Sequence, residues 1–283
     1  MSLLLDQPVW RVIDQSSLGS GFDGRQSFAV DDTLCRSVGA GESPCTARLW
    51  VHRRTVMLGI QDTRLPHLND ALQVLRRAGY RYAVRNSGGL AVVLDDDVLN
   101  LTLIFSEKEQ PLSIDESFQA MVDFTKKMLT PFAISFETGE IARSYCPGRY
   151  DLSTKGRKFA GISQRRIRNG VAVQIYLCVG GSGPERARLI RNFYKMGLQG
   201  EKTRFAYPNI DPLVIASLAE ISGQRLTVSM IITAILRTLQ SLGRVVPSAL
   251  SDRESRQFGI YYERMIRRNE KAFGNDAIHP QQD

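Results

Sequence analysis

"RSYCPGRYDLSTKGRKFAGISQRRIRNGVAVQIYLCVGG", residues 143–181, is the stretch on which the fold turns. Its second half reads as the clearest hairpin in the chain, because Asn169-Gly170 favours the positive φ angles of a tight connection. Its first half reads as a loop, since Pro147 and Gly148 keep Cys146 out of regular structure. Lys158 falls at the start of the first hairpin strand, where a side chain can point inward. On the residues alone, Cys146 is either a nucleophile or a small hydrophobe. Lys158 is either a solvated surface charge or a partner of that thiol, placed to favour the thiolate or to stabilise an oxyanion.

Upstream, "SSLGSGFDGR" (16–25) reads as a loop into a helix, where Phe28, Leu34 and Val38 recur at helical spacing and Gly39 or Gly41 stops the run. "ARLWVHRRTVMLG" (47–59) is β-rich with a turn at His52–Arg54. "PHLNDALQVLRRAGY" (66–80) is an amphipathic helix with Leu68, Leu72 and Leu75 on one stripe and Gly79 after its last turn. "YRYAVRNSGG" (80–89) is a strand entering a Gly-Gly turn, and "LAVVLDDDVLNLTLIFS" (90–106) is two strands broken at Asp95–Asp97. Ser113 and Glu116 form a capping box ahead of the helix in "SIDESFQAMVDFTKKMLTPF", and "AISFETG" (133–139) returns as a strand. Beyond Pro184 the chain reads as helical over 184–197, 211–222, 227–242 and 251–273, with "GNDAIHPQQD" a frayed tail. The expected class is α+β, a mixed sheet flanked by helices with a helical C-terminal third. Residues 1–250 are expected to form the catalytic domain, with 251–283 a helix and tail packed on it or frayed.

The chain has 283 residues, 43% hydrophobic and 23% charged, enough to bury a core without staples. Its cysteines, at 35, 45, 146 and 178, show no C-x-x-C, and free thiols suit a reducing cytoplasm. Cys178 reads as strand core and Cys35 as part of a helix stripe. The N-terminus is not a signal peptide, and "LTVSMIITAIL" (226–236) is too short to span a bilayer, so no membrane partner is expected. The net charge is +8, with clusters at Arg165-Arg166-Arg168 and Arg264-Arg267-Arg268-Lys271. That charge attracts acidic partners, of which nucleic acid is only one kind. The aromatics are not interleaved with the basic runs, so no nucleic-acid partner is expected.

The P-loop, G-x-G-x-x-G, H-E-x-x-H and G-x-S-x-G motifs are all absent. Only three histidines occur, at 52, 67 and 279, and with no His/Cys/Asp cluster no metal is assigned. Two unusual segments remain: the loop and strand around Cys146 and Lys158, and "RNSGGLAVVLDDDVLN" (85–100). In the latter, amides at Gly88 and Gly89 could hold a carbonyl or an anion, or simply turn the chain.

Together these segments resemble the lipoate and biotin ligase/transferase superfamily. "VRNSGGLAVV" matches its R-x-S-G-G-G turn, and "KGRKFAGISQRR" its G-[KR]-K-[IF]-[AS]-G strand bearing the functional lysine. "FAVDDTLCRSV" and "LWVHRRTVMLG" look like its opening helix and first strand. The resemblance covers roughly residues 25–240. Within it, "SYCPGRYDLSTKGRKFAGISQRR" is similar to the cysteine-dependent octanoyltransferases of Gram-positive type. That branch implies Cys146 as an acyl-thioester nucleophile and Lys158 as acid/base or oxyanion group. It also implies substrate contacts from Arg85, Ser87, Gly88, Gly89 and Gly161. The donor it implies is the glycine cleavage H protein, the acceptors are lipoyl domains of 2-oxoacid dehydrogenases, and no cofactor is needed. Val92, Val93 and Val171–Leu177 are candidate linings of an acyl groove. Leu90 stands where ligases carry the third glycine, and Leu94-Asp95 where a His-Asp often follows. Both departures weaken the case for holding an acyl-adenylate. Rival readings are octanoyl transfer from acyl carrier protein to the H protein, an ATP-dependent lipoate ligase, and a non-catalytic nucleic-acid-binding protein.

Overall fold

The computed structural model describes residues 2–274. In chain order its elements are β1 (Val9–Gln15), α1 (Gly24–Gly39), β2 (Thr46–Val51), β3 (Thr55–Leu58), α2 (Leu68–Arg77), β4 (Arg81–Val84), β5 (Val92–Leu94), β6 (Val98–Ser106) and α3 (Ile114–Leu129). They continue with β7 (Glu137–Thr138), β8 (Leu152–Thr154), β9 (Arg157–Ile167), β10 (Gly170–Cys178), α4 (Gly183–Leu198), α5 (Leu218–Ser222), α6 (Val228–Gln240), β11 (Arg244–Pro247) and α7 (Asp252–Phe273). The class is α+β, as expected. The strands form an eight-stranded mixed sheet in the order β11-β1-β2-β6-β10-β9-β8-β7 and a three-stranded sheet β4-β3-β5.

Period-two alternation divides β10 between two cores. Val171, Val173, Ile175 and Leu177 join the apolar layer that includes Phe124 and Met128 of α3 and Ile231 and Ile235 of α6. Ala172 packs toward α1 with Leu34 and Cys35, while Tyr176 and Cys178 join the layer containing Trp50, Met57 and Val92. α7 lies across α1. It is tied to β1 by Arg11, whose guanidinium donates to both carboxylate oxygens of Glu254 at 2.6 and 2.7 Å.

Several expectations shift. The hairpin turns one residue earlier: Arg168 and Asn169 carry the positive φ angles (47° and 64°), and Ile167 pairs with Gly170. Gly170 is required for another reason, since a Cβ there would lie 1.8 Å from the carbonyl oxygen of Cys35 where α1 crosses the hairpin. The strands of "ARLWVHRRTVMLG" belong to different sheets, as do those around Asp95–Asp97. In "AISFETG" only Glu137–Thr138 is strand. The 211–222 run is helical only at Pro212–Val214 and Leu218–Ser222. Between them Ala216 donates its N–H to the carbonyl of Lys158 at 2.9 Å, so the backbone there serves β9 instead of a helix. The C-terminal third also holds β11, parallel to β1. Neither β1 nor β11 stood out in the sequence as a strand. The tail from residue 275, with His279, lies outside the described residues.

Candidate active site

The Arg85–Ala91 turn, the Cys146 loop and the open faces of β9 and β10 enclose a cavity of about 520 Å³. This is within the usual range of roughly 300–1,000 Å³ for small-molecule pockets. Phe28, Trp50, Met57, Val92 and Leu94 supply apolar wall, and Cys146, Gly88, Gly89, Gly161 and Tyr176 also line it. Of the proposed groove residues, Val92 and the Gln174–Tyr176 part of β10 take part. Val93 does not line it, and Val171, Val173 and Leu177 point into the opposite core.

Cys146 is half-buried, and its backbone sits at φ +45°, in the left-handed region that a non-glycine residue rarely adopts. Such a conformation costs roughly 1–3 kcal/mol and persists only where the surroundings impose it. Lys158 imposes it from below. Its ammonium, 1% exposed, donates to the carbonyls of Tyr145 (3.0 Å) and Cys146 (2.7 Å) and pairs with Asp151 (2.9 Å). Those three acceptors match its three donors. Asp151 in turn accepts the N–H of Gly148 at 3.1 Å, which closes the loop on itself. Burial pushes the Asp151 carboxyl up, against the downward pull of Lys158. The fold thus brings Lys158 to Cys146, but to its carbonyl oxygen and not its sulfur.

The sulfur meets the glycine turn. Leu90 donates its N–H to Sγ at 3.2 Å, and Nη2 of Arg85 approaches at 3.4 Å while donating to the Leu90 carbonyl at 2.6 Å. The amide nearest the sulfur therefore belongs to Leu90, not to Gly88 or Gly89. Gly89 makes the approach possible. It has φ +101°, and a Cβ there would lie 2.4 Å from Arg85 and 2.8 Å from the sulfur. The Ser87 hydroxyl is buried without a partner and does not line the cavity. Behind the turn, Tyr194 accepts the N–H of Ala91 at 3.3 Å and donates to Asp62 at 2.9 Å. Asp62 also accepts the N–H of Gly59 at 2.7 Å, and burial pushes its carboxyl up to about 6.

Residues 23–240 match the family described as the lipoyl protein ligase A/B catalytic domain. The chain belongs to that family. It is 54% identical, over 97% of its length and 98% of the relative's, to octanoyl-[GcvH]:protein N-octanoyltransferase of Geobacillus kaustophilus. It is 45% identical, over 95% of its length and 97% of the relative's, to lipoyl-[GcvH]:protein N-lipoyltransferase of Listeria monocytogenes. Among solved structures, a lipoate protein ligase from T. acidophilum with bound lipoic acid superposes with TM-score 0.68 at 16% identity, covering 90% of this chain and 95% of that one. This likeness shows the fold of the lipoyl protein ligase A/B family.

Within that family fold the other thiols are set apart. Burial pushes Cys35 up to about 12, Cys45 up to about 11 and Cys178 upward, so all three stay protonated. No Cys-His pair forms with the described histidines. His52 is bonded to Ser27 and the Phe22 carbonyl, with burial lowering its pKa to about 4, and His67 pairs with Glu201. Among the described residues no group of three His, Cys, Asp or Glu side chains could hold a metal. None of the helices there is long and apolar enough to cross a membrane. Much of the basic charge is tied internally: Arg165 to Asp32, Arg166 to Glu107 and Arg267 to Glu263. Reading the residues missed Leu90 and Asp151, and took in Tyr176 only as part of the Val171–Leu177 lining. Alternation along β10 could have placed Tyr176 on the cavity face, but nothing local marks a backbone amide or Asp151.

Proposed function

We propose that this protein is a cysteine-dependent octanoyl amidotransferase. It takes octanoyl from octanoyl-lysine of the glycine cleavage H protein, holds it as a thioester on Cys146, and passes it to a lysine of the lipoyl domains of 2-oxoacid dehydrogenases. Relatives 54%, 55% and 53% identical to the chain are N-octanoyltransferases, so the enzyme class is acyltransferase. The observation that carries the cysteine route is the position of Cys146 at an apolar cavity, with two donors, Leu90 N–H and Arg85, facing its sulfur.

In the forward half-reaction the sulfur of Cys146 attacks the amide carbon, and the carbonyl π electrons move to oxygen. Collapse expels the donor lysine as an amine, which takes up the proton that the thiol gave. The acceptor lysine then attacks the thioester and frees the thiol. One amide replaces another, so the exchange calls for no nucleotide, cofactor or metal. The thioester is the less stable link, and rapid capture by the acceptor draws the cycle forward. Lys158 acts first as a positioning residue, holding Cys146 in its left-handed conformation. To protonate the leaving amine it must release one of its three acceptors. The work is assigned to the cytoplasm, where thiols stay reduced.

The relative named as a lipoyltransferase favours a second cargo, the lipoyl group, in the same cavity. The test is intact-mass analysis after incubation with octanoylated H protein, without ATP. A hydroxylamine-labile octanoyl adduct, absent from Cys146→Ala, is expected. A strict ATP requirement would sink the cysteine route. An adduct from octanoyl-acyl carrier protein alone would move the donor assignment to the carrier protein.

A further inference from the structure

Among the described residues that line the cavity, two carry a buried polar atom without a partner: Nε of Arg85 and the hydroxyl of Tyr176. Tyr176 lines it, 8% exposed, and its hydroxyl is fully buried with no hydrogen bond. A buried hydroxyl left unpaired costs on the order of 1–3 kcal/mol, so native proteins rarely keep one without a use. Arg85 is held through another nitrogen, so the Tyr176 hydroxyl belongs to a side chain with no polar bond at all. Asn100 donates to the Trp50 carbonyl, Gln174 joins Ser163 to Asp31, and Nη2 of Arg85 is held at Leu90 and Cys146.

Packing fixes where this ring lies. Tyr176 pairs across the strands with Gly161, and a Cβ at Gly161 would stand 2.7 Å from the ring and 3.2 Å from the hydroxyl. The glycine of the family motif thus gives the ring room to lie flat. The ring also stacks on Tyr145 at 6.2 Å between centroids, and Lys158 Nζ lies 5.8 Å from the Tyr176 centroid. The ring therefore lies beside the Cys146 loop and lines the same cavity as Cys146. Burial raises the phenol well above its usual range, which keeps it a donor at neutral pH.

We propose that the Tyr176 hydroxyl is a catalytic hydrogen-bond donor that receives the acyl carbonyl oxygen, in the amide, in both tetrahedral intermediates and in the thioester. This rests on the cysteine route proposed above. When sulfur bonds to the acyl carbon, the electron pair displaced from the C=O bond comes to rest on oxygen, and the phenol O–H holds it there. The phenol keeps its own proton throughout, and the proton leaving the thiol goes to the departing amine. Lys158, with its three donors engaged, is then free to keep the loop in place during attack.

The test compares wild type with Tyr176→Phe, which keeps the ring and removes only the hydroxyl. Single-turnover octanoylation of Cys146 from octanoylated H protein is expected to fall about 100-fold, the size typical of one lost oxyanion donor. Alkylation of Cys146 by iodoacetamide, which develops no acyl oxyanion, is expected to stay within about twofold of wild type. The thermal midpoint is expected to hold or rise, because the hydroxyl has no protein partner to lose. Unchanged octanoylation would overturn the assignment. So would a parallel fall in alkylation, or a lowered thermal midpoint, since either makes the hydroxyl a structural group. If wild type forms no adduct on Cys146 at all, the cysteine route itself fails and this role falls with it.

Discussion

Two buried ion pairs in this protein look alike and act differently. Arg48 and Asp31 meet at 2.7 Å with side chains 0% and 1% exposed, and Lys158 and Asp151 meet at 2.9 Å with 1% and 2% exposed. The first joins regular elements. Arg48 of β2 donates to Gln15 of β1 and to the Ser27 carbonyl of α1, while Asp31 accepts from Thr102 of β6 and Gln174 of β10. The second joins one strand to one loop, and its lysine also donates to two loop carbonyls. The cation differs accordingly. A guanidinium does not lose its proton in a protein and suits a permanent cross-brace, whereas an ammonium can be neutralised when its surroundings change. The comparison teaches that burial and distance alone do not separate a frame from a site; what the pair holds still does.

Breaking each pair from its acidic side sharpens that contrast. Asp31→Ala strands a guanidinium that must stay charged, and the expected loss is about 3–5 kcal/mol, read by denaturant unfolding. Asp151→Ala leaves the Lys158 ammonium its two carbonyl acceptors. Its expected cost is smaller, about 1–3 kcal/mol, but octanoylation of Cys146 should fall at least tenfold, because the loop loses the carboxylate that grips both Gly148 and Lys158. Equal stability losses with activity kept in Asp151→Ala would erase the distinction.

A third pair, Arg11–Glu254, adds a pH signature. Burial works to raise the Glu254 carboxyl, but hydrogen bonds from Arg11 and the Ser251 backbone outweigh it and bring the pKa to about 2. A carboxyl whose folded pKa lies below its unfolded one stabilises above the unfolded value and loses that contribution as pH falls toward the folded value. Glu254→Gln is therefore expected to cost roughly 1–3 kcal/mol at pH 7, after allowing for solvent screening, and almost nothing near pH 2. Thermal melts across pH 2–7 check it, and a cost independent of pH would refute it. The smallest effect belongs to the surface. Arg267 and Glu263 pair at 2.6 Å with 73% and 61% of their side chains exposed, and Arg267→Ala should leave the thermal midpoint unmoved.

Local patterns reached much of this molecule. Capping at Ser113, the leucine stripe of α2 and the hairpin at Arg168–Gly170 all depend on neighbours within a few residues, and the structure has them. The order of the glycine turn, Cys146 and Lys158 was legible for the same reason: each is a short motif with its own chemistry. The pairing of β1 with β11 was not, since it joins segments more than 200 residues apart, and neither carries a turn signal toward the other. Nor was the split of neighbouring strands between two sheets, because alternation marks a strand's faces and not its partner.

By itself, then, the sequence determined which segments are helix, strand and loop over most of the chain, and that the Cys146 thiol lies outside regular structure. Only the tertiary structure decided what that thiol meets. The Leu90 amide and the Tyr176 side chain come to the Cys146 loop from two separate parts of the chain, and no local pattern encodes that convergence. It exists because strand pairing brings Tyr176 beside Gly161 and because glycine at 89 lets one backbone turn close over the sulfur.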